Sequence, residues 1–332
     1  MGRHRQHHKH LPRGMTLERG SYYFRGPDRK RVNLGHDYAD ALARYADFFR
    51  DVPLSTFGAV LDRYAQLVVP KKAKRTQADN ARYIAVIRTV FGHMAPAAIT
   101  PVHIYQFRDG LAAKSGNVQA NRHLEIIKHV FVKAQEWGSV QTNPARDVRK
   151  LAMKPRERYV TDDEYLAVYT EAPETIQVAM DLALLTGLRR GDLLALTRAQ
   201  MHDDGIHVRT GKTGKRLIIE WNADLREVVA RAKRIKPQMR QHLIATRSGK
   251  QFSGDGFGSI WLRAVRRAIK KDTLEQPFTF NDLRAKSASD AADAREASAR
   301  LGHSSEAITN RVYRRKPARV RALTRTKDQD AL

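Results

Sequence analysis

Residues 186–192 read Thr-Gly-Leu-Arg-Arg-Gly-Asp, residues 281–284 read Asn-Asp-Leu-Arg, and residues 301–303 read Leu-Gly-His, with Tyr313 ten positions after the histidine. The first segment places an arginine just after a glycine turn, and the second ends in another arginine. Two guanidinium groups can grip the non-bridging oxygens of a phosphodiester, and a tyrosine can serve as a nucleophile. These side chains, in this order, predict chemistry on a phosphodiester.

The charge of the chain points to a polyanionic partner. The 332 residues contain 61 Lys+Arg against 35 Asp+Glu, a formal net charge of +26, and the sequence pI is about 10.5. Nucleic acid is the simplest such partner, because each phosphate that is neutralised releases a condensed counterion. Charge alone leaves a ribosomal-type or merely soluble basic protein open. The basic residues are spread along the whole chain, which favours a protein that wraps DNA.

Composition excludes several other classes. The chain has no cysteine, so disulfides, thiolate zinc sites and cysteine nucleophiles are absent. Residues 1–13 are basic with no apolar run behind them, which predicts no secretory signal. The most apolar run, 178–188, is too short to span a bilayer. Four histidines lie between positions 4 and 10, but no carboxylate joins them at ligand spacing, so we expect no metal site. We expect a soluble intracellular protein with no membrane partner.

Residues 1–50 form a basic module of their own. Residues 1–13 predict a flexible arm. Residues 21–25 and 29–34 predict a β-hairpin, closed by a turn of Gly-Pro-Asp at 26–28. A short helix is expected over 37–49.

Residues 53–148 predict a bundle of four helices from their apolar periodicity. Thr100 followed by Pro101 is a helix-start signal. Residues 71–75, four of them Lys or Arg, follow a proline and are expected to form an exposed basic loop.

Residues 149–160 predict a basic linker, and residues 161–320 a mixed domain, followed by a tail at 321–332. Thr161 and Glu164 form a capping-box pair. The helices expected in the mixed domain begin at 161, 174 and 191 and continue over 222–235, 255–270, 281–300 and 304–311. A strand pair is expected at 205–208 and 216–219. The predicted fold class is mainly α with small β-sheets.

The three quoted segments resemble the tyrosine recombinase family, and the lambda-type phage integrases in particular. The resemblance covers roughly 155–320, which implies the family's α+β catalytic domain. The bundle at 53–148 resembles the family's core-binding domain, and residues 1–50 resemble the arm-binding module of the lambda type.

The resemblance implies a role for each matching residue. Tyr313 is the implied nucleophile. Arg189, Arg284 and His303 are implied to hold the phosphorane, where charge accumulates. Lys212, in a Lys-Thr-Gly turn, is the implied general acid for the departing 5′ oxygen. We interpret Asp192, one turn after the first arginine, as orienting its guanidinium.

Three positions qualify the match. Asn281 stands where most members have histidine, and asparagine can bind a phosphate oxygen but cannot exchange a proton near neutral pH. This puts an acid–base role for position 281 in doubt, but not a phosphate-holding role. Lys215 is a neighbour that could be confused with Lys212. Val312 lengthens the usual histidine-to-tyrosine spacing by one residue, which predicts a changed helix register or a bulge.

The implied function is that of a phage or prophage integrase, which breaks and rejoins DNA through a 3′-phosphotyrosine and needs no ATP, metal or other cofactor. The implied partners are double-stranded attachment sites and three further copies of the chain on DNA. A host DNA-bending protein and an excisionase are further candidates, and the implied location is the bacterial cytoplasm and nucleoid. The basic side chains expected to contact DNA are Arg3, Arg5, Lys9, Arg29, Lys30, Arg31, Lys71, Lys72, Lys74 and Arg75.

Other functions stay open at this point. A topoisomerase-like or chromosome-dimer-resolving enzyme would use the same chemistry, although dimer resolvers lack a module like residues 1–50. A catalytically impaired DNA-binding protein derived from an integrase is favoured by Asn281 and Val312. A structural basic protein would leave the ordered set unexplained.

Overall fold

The computed structural model describes residues 11–12, 14–25, 30–48, 54–235, 241–303, 305–317 and 322. The chain divides into two compact units, 1–154 and 155–332. The described residues are mainly helical and include two antiparallel sheets of three strands each. The predicted fold class is confirmed.

The first unit begins with a small sheet. Its strands are β1 (Met15–Glu18), β2 (Ser21–Arg25) and β3 (Arg31–Gly35), in the order β1-β2-β3, followed by α1 (Tyr38–Asp47). Phe24 and Tyr45 meet edge to face and bury the contact between sheet and helix. The β2–β3 hairpin agrees with the sequence, whereas β1 was missed because four residues are too few to show a period. The expected turn at 26–28 and arm at 1–10 lie outside the described residues.

The rest of the first unit is a helical bundle of α2 (Phe57–Leu67), α3 (Lys74–Phe91) and α4 (Pro101–Glu136). Gly116, with φ 81° and ψ 162°, interrupts α4, so the bundle contains two helices there, as the four-helix prediction required. Thr100 caps α4 through a capping box with His103. The expected basic loop at 71–75 is only partly correct: Val69–Lys71 forms a 3-10 turn, Lys72 lies in the short connection after it, and Lys74 and Arg75 open α3.

The second unit contains eight helices and one sheet among its described residues. The helices are α5 (Asp162–Glu171), α6 (Glu174–Thr186), α7 (Arg190–Leu194), α8 (Ala223–Arg234), α9 (Gly254–Lys270), α10 (Asp282–Ser289), α11 (Ala294–Leu301) and α12 (Glu306–Val312). The sheet is β4 (Met201–His202), β5 (Gly205–Arg209) and β6 (Arg216–Glu220). The strand pair and the Thr161 capping box agree with the sequence.

Two sequence expectations for this unit need correction. Strand β4, of two residues, was not foreseen. The single helix expected over 281–300 is two helices, because Asp293 accepts a hydrogen bond from the Glu296 amide at 2.7 Å and starts a new helix.

Helix α6 is the buried centre of the second unit. It packs against α8 and α10, and its inward side chains join a large apolar core with Phe257, Trp261 and Phe280. Burial on this scale fixes the directions of α6 and α10. Both helices carry parts of the site, so the core holds those parts in place.

Candidate active site

Two glycines in the left-handed conformation bring distant segments together. Gly187 ends α6 with φ +62°, and Gly302 ends α11 with φ +64°. A Cβ at Gly187 would lie 2.9 Å from a Leu301 methyl, and a Cβ at Gly302 would lie 2.9 Å from a Leu217 methyl. Glycine is therefore required at both turns by backbone conformation and by space. Arg189 follows the first turn and His303 the second.

Arg284, on α10, joins the two turns from inside. The side chain is buried, and its Nη1 donates to the Gly187 carbonyl. Its Nη2 donates to the Leu301 carbonyl at 2.8 Å and to His303 Nε2 at 3.1 Å. Its buried Nε has no hydrogen-bond partner within the described part of the chain. Burial lowers the pKa of this arginine. The guanidinium is thus held in place by two backbone carbonyls and one histidine nitrogen.

The candidate nucleophile lies against this cluster. The Tyr313 ring centroid is 4.9 Å from that of His303 and 5.2 Å from the guanidinium carbon of Arg284. His303 Nδ1 lies 2.8 Å from the hydroxyl of Thr309, a fully buried residue of α12. Two of the three implied phosphate ligands therefore touch the tyrosine.

Helix α12 ends in a wide turn that contains the tyrosine. The Thr309 carbonyl accepts hydrogen bonds from the amides of Tyr313 at 2.9 Å and Arg314 at 3.0 Å. The second bond spans five residues, as in the π-type turns found at helix C-termini. The Tyr313 amide keeps the regular four-residue spacing, so α12 shows no bulge between Thr309 and Tyr313, and the tyrosine ring lies against His303.

Positive charge dominates the site. Arg189 is partly buried, and among the described residues its guanidinium has no hydrogen-bond or ion-pair partner. Burial, together with the charges of Arg284, Arg189 and Lys215, lowers the pKa of His303 to about 4. His303 is therefore neutral at pH 7, and the cluster is suited to an anion.

The β5–β6 turn supplies the two lysines. Lys212 lines an open cleft together with Arg189 and Asp192. Lys215 Nζ lies 3.4 Å from the His303 carbonyl. Lys215 therefore borders the cluster at His303, whereas Lys212 faces the cleft beside Arg189.

The interpretation of Asp192 as orienting Arg189 is wrong. Asp192 Oδ1 accepts a hydrogen bond from the Gly211 amide at 2.8 Å, and the described contacts include no ion pair between Asp192 and Arg189. Asp192 instead holds the turn that carries Lys212. The sequence could not show this, because its partner is a backbone amide on another element.

Asn281 is exposed at the start of α10, and its carbonyl accepts the Arg284 amide at 3.2 Å. In the described part of the chain its side chain has no hydrogen-bond partner. It lies one helical turn before Arg284 but is not part of the contact cluster.

A buried carboxylate that sequence reasoning missed lies next to Asn281. Asp282 accepts hydrogen bonds from the Thr279 amide and hydroxyl, both at 2.8 Å. It also pairs with Arg156 at 2.8 Å and Arg315 at 2.7 Å. Burial alone would raise the pKa of Asp282, but these bonds outweigh it and lower the pKa.

Arg315 follows the nucleophile by two residues and closes the segment around it. Its Nε donates to the Val312 carbonyl at 3.0 Å, and its Nη1 donates to the Arg158 carbonyl at 3.2 Å. Its amide donates to Ser289 Oγ at 2.8 Å. The sequence showed that this arginine follows the tyrosine, but it could not show which groups the arginine contacts.

The basic residues expected to bind DNA from the first unit differ in their surroundings. Lys72 donates to the Tyr64 hydroxyl at 2.7 Å and to Asn80 at 3.0 Å, so it is engaged within the bundle. Arg31 pairs with Glu18 at 2.7 Å and lies over the Tyr23 ring. The exposed members are Lys30, Arg31, Lys71, Lys74 and Arg75, and Arg3, Arg5, Lys9 and Arg29 lie outside the described residues.

The described residues include neither a metal-binding cluster nor a membrane-spanning helix. No group of three or more His, Cys, Asp or Glu side chains there could hold a metal ion. No helix there is long and apolar enough to cross a membrane.

Comparison with known proteins supplies the family context. Residues 158–319 match the profile of the phage integrase family. The integrase of Escherichia phage HK022 is 26% identical over 318 residues, covering 87% of this chain and 88% of that protein. The integrase of Escherichia phage lambda is 26% identical over 320 residues, with the coverage again 87% and 88%.

Solved structures show the same fold over the whole chain. A lambda integrase dimer bound to a COC′ core site matches with a TM-score of 0.69 at 23% identity, covering 100% of this chain and 99% of that chain. A lambda integrase tetramer bound to a Holliday junction matches with a TM-score of 0.67 at 24% identity, covering 89% and 97%.

Proposed function

Because the chain belongs to the phage integrase family, and is therefore a site-specific DNA recombinase of the tyrosine recombinase type, we propose that it breaks DNA strands with Tyr313. The single observation that carries this assignment is the contact of Tyr313 with both His303 and Arg284. Residues from α10, the end of α11 and the end of α12 meet there, although they are up to 29 positions apart in sequence.

Tyr313 Oη forms a bond to phosphorus as it loses its phenolic proton, and the 5′ oxygen of the next nucleotide leaves. The products are a 3′-phosphotyrosine and a 5′ hydroxyl. Attack by the 5′ hydroxyl of a partner strand then reverses the step and frees Tyr313. Bond energy is kept in the covalent link, so the exchange of strands requires no external energy source.

Arg189, Arg284 and His303 stabilise the charge that grows on the non-bridging oxygens. Arg284 is already fixed by the Gly187 and Leu301 carbonyls, so little reorganisation is needed when the transition state forms. Arg189 has no protein partner among the described residues, so its donors are free for phosphate. A histidine that is neutral at pH 7 can donate one hydrogen bond to the same group.

Lys212 is the proposed general acid, and Lys215 is its competitor. Replacing the 5′ bridging oxygen of the DNA by sulfur makes the leaving group independent of an acid, because a thiolate is stable near neutral pH. Lys212→Ala should therefore cleave normal DNA slowly and the sulfur-bridged DNA at the wild-type rate. Lys215→Ala is the matched control. If only Lys215→Ala shows this rescue, the acid is Lys215.

The first unit is a second candidate for DNA contacts. Lys74 and Arg75 lie in the first turn of α3, where the helix dipole is positive and no acidic side chain compensates. A phosphate bound there would offset the repulsion between these two cationic side chains and the positive end of the helix dipole. We propose that the bundle binds the core-type site through Lys71, Lys74 and Arg75, and that residues 1–50 bind a second, arm-type site.

We propose that four copies of the chain assemble on two duplexes. Support comes from the lambda integrase structures, which were solved as a dimer on a core site and as a tetramer on a Holliday junction. A host DNA-bending protein and an excisionase are proposed as additional partners, in a phage or prophage setting inside the bacterial cell.

The test uses a nicked suicide duplex, in which the cleaved strand diffuses away and traps the covalent adduct. Wild-type protein should form an adduct that survives denaturation. Tyr313→Phe should bind the same duplex with unchanged affinity and form none. Adduct formation by the Phe variant would place the nucleophile elsewhere. Binding without an adduct by the wild type would instead support an impaired DNA-binding protein.

A further inference from the structure

Thr309 contacts both the candidate catalytic histidine and the segment that carries the nucleophile. The residue is fully buried in α12. Its Oγ1 lies 2.8 Å from His303 Nδ1, and its carbonyl accepts the amides of Tyr313 and Arg314. One side chain and its own backbone therefore tie together two groups that act on the same phosphate.

The hydrogen bonds around His303 determine which ring nitrogen carries the proton. An arginine can only donate, so His303 Nε2 must accept from Arg284 Nη2 at 3.1 Å. A neutral imidazole has one N–H, so in the DNA-free protein the proton is on Nδ1 and is donated to Thr309 Oγ1. Burial and nearby cations keep the ring neutral.

A bound phosphate changes this requirement. If His303 is to donate to a phosphate oxygen, the proton must be on Nε2, and Nδ1 must then accept. A hydroxyl can accept from Nδ1–H or donate to bare Nδ1 with only a rotation of its hydrogen. The exchange returns one proton from Nδ1 to solvent and takes one up at Nε2, so the ring charge is unchanged.

We propose that Thr309 is a positioning residue for catalysis, whose hydroxyl supports His303 in either neutral tautomer while its carbonyl holds the wide turn that contains Tyr313. The proposal rests on the proposed function of His303 as a phosphate ligand. Thr309 is fully buried and lies outside the sequence segments that carried the family resemblance.

The kinetic test compares two substitutions. Thr309→Val keeps the shape of the side chain and removes the hydroxyl, whereas Thr309→Ser keeps the hydroxyl. In single-turnover cleavage of a suicide duplex, Thr309→Val should be slower by roughly 10- to 100-fold, less than the roughly 100- to 1,000-fold cost of removing a transition-state donor outright. Thr309→Ser should retain most of the rate, and the DNA affinity of both variants should equal that of the wild type.

A second measurement does not depend on cleavage. Nitrogen NMR of protein labelled at histidine, with His303→Gln to assign the signal, reports which ring nitrogen is protonated. We expect Nδ1–H in free wild-type protein and Nε2–H with DNA bound. Thr309→Val should keep Nδ1–H in the free protein, because Arg284 still donates to Nε2, but should lose Nε2–H population with DNA bound, because valine cannot donate to a bare Nδ1.

The outcomes separate this inference from the proposed function. Equal cleavage by wild type and Thr309→Val, equal losses in the Val and Ser variants, or an Nε2–H tautomer in the free wild type would each overturn the role of Thr309. Absence of any adduct with the wild type would instead remove the proposed function.

Discussion

Arg189 and Arg284 have the same proposed ligand but opposite surroundings. Arg284 is buried and donates to two backbone carbonyls that end different helices. Arg189 is partly buried and donates to none of the described residues. One arginine is therefore part of the fold as well as of the site, and the other serves the site alone.

We expect Arg189→Ala and Arg284→Ala to reduce the cleavage rate by similar factors but to differ in their effect on stability. Each should slow cleavage by roughly 100- to 1,000-fold, about 3–4 kcal/mol, with a much smaller loss of DNA affinity. Only Arg284→Ala should lower the melting temperature, since each buried carbonyl left unpaired costs about 1–3 kcal/mol. Single-turnover kinetics, binding titrations and thermal melts check this. Parallel losses in affinity and cleavage would mark both as ordinary phosphate anchors.

His303 should make the protein less stable in acid. Its pKa falls from 6.5 to about 4 in the folded state, so the unfolded chain binds more protons between these values. The stability contributed by neutral His303 is present above pH 6.5 and is lost as the pH falls toward 4. Each kcal/mol lost lowers the melting temperature by about 2–4 °C for a unit of this size.

The measurement is a series of thermal melts from pH 7.5 to 4.5 on wild type and His303→Gln, which cannot titrate. The wild type should lose melting temperature relative to the variant as the pH falls. Parallel curves would contradict the lowered pKa.

At the scale of elements, side chains of α10 bind the segment that follows Tyr313, the proposed nucleophile. Ser289 Oγ donates to the Tyr313 carbonyl at 3.0 Å and accepts the Arg315 amide at 2.8 Å. Asp282 pairs with the Arg315 side chain. Helix α10 therefore carries Arg284, a proposed phosphate ligand, on one turn, and its Asp282 and Ser289 hold the segment that follows Tyr313.

Arg315→Ala should slow cleavage about tenfold or more without weakening DNA binding, and should cost about 1.5–3 kcal/mol of stability because it removes hydrogen bonds to a charged group. Arg314→Ala is the matched control, since it deletes the same charge one residue earlier. Cleavage kinetics and thermal melts of both variants decide the matter. Similar effects of Arg315→Ala and Arg314→Ala would mean that the loss of positive charge, and not the loss of the Arg315 hydrogen bonds, slows cleavage.

At the scale of the whole molecule, the apolar residues form separate cores. One lies between the first sheet and α1, one within the helical bundle, and one within the second unit. Each core can stabilise the helices and strands that surround it. This organisation suits a protein whose parts bind different stretches of DNA.

Removal of residues 1–50 should leave a protein that cleaves a core site at the wild-type rate but recombines poorly on full attachment DNA. Two linked contacts gain affinity through effective concentration, and the truncated chain loses one of them. The affinity of fragment 1–50 for DNA should also fall steeply with salt, with a slope of about −0.9 per phosphate contacted. Unchanged recombination by the truncated protein would refute the arm-site proposal.

The sequence by itself determined what is local or periodic. Helix starts at Thr100 and Thr161, the hairpin that carries Lys212, and the ordered set of arginines, histidine and tyrosine can be read from neighbours a few residues apart. The glycine turns that precede Arg189 and His303 could also be predicted from the sequence, because glycine adopts the left-handed conformation readily. These features follow from backbone geometry and capping, which act over one or two turns.

Only the tertiary structure decided which side chains are partners. Asp192 binds an amide 19 positions away, Asp282 pairs with Arg315 33 positions away, and the Thr309 hydroxyl contacts the His303 ring. A carboxylate or hydroxyl of given identity can satisfy its hydrogen bonds with many groups. The choice depends on distances that burial of α6 and α10 sets, and no local pattern encodes those distances.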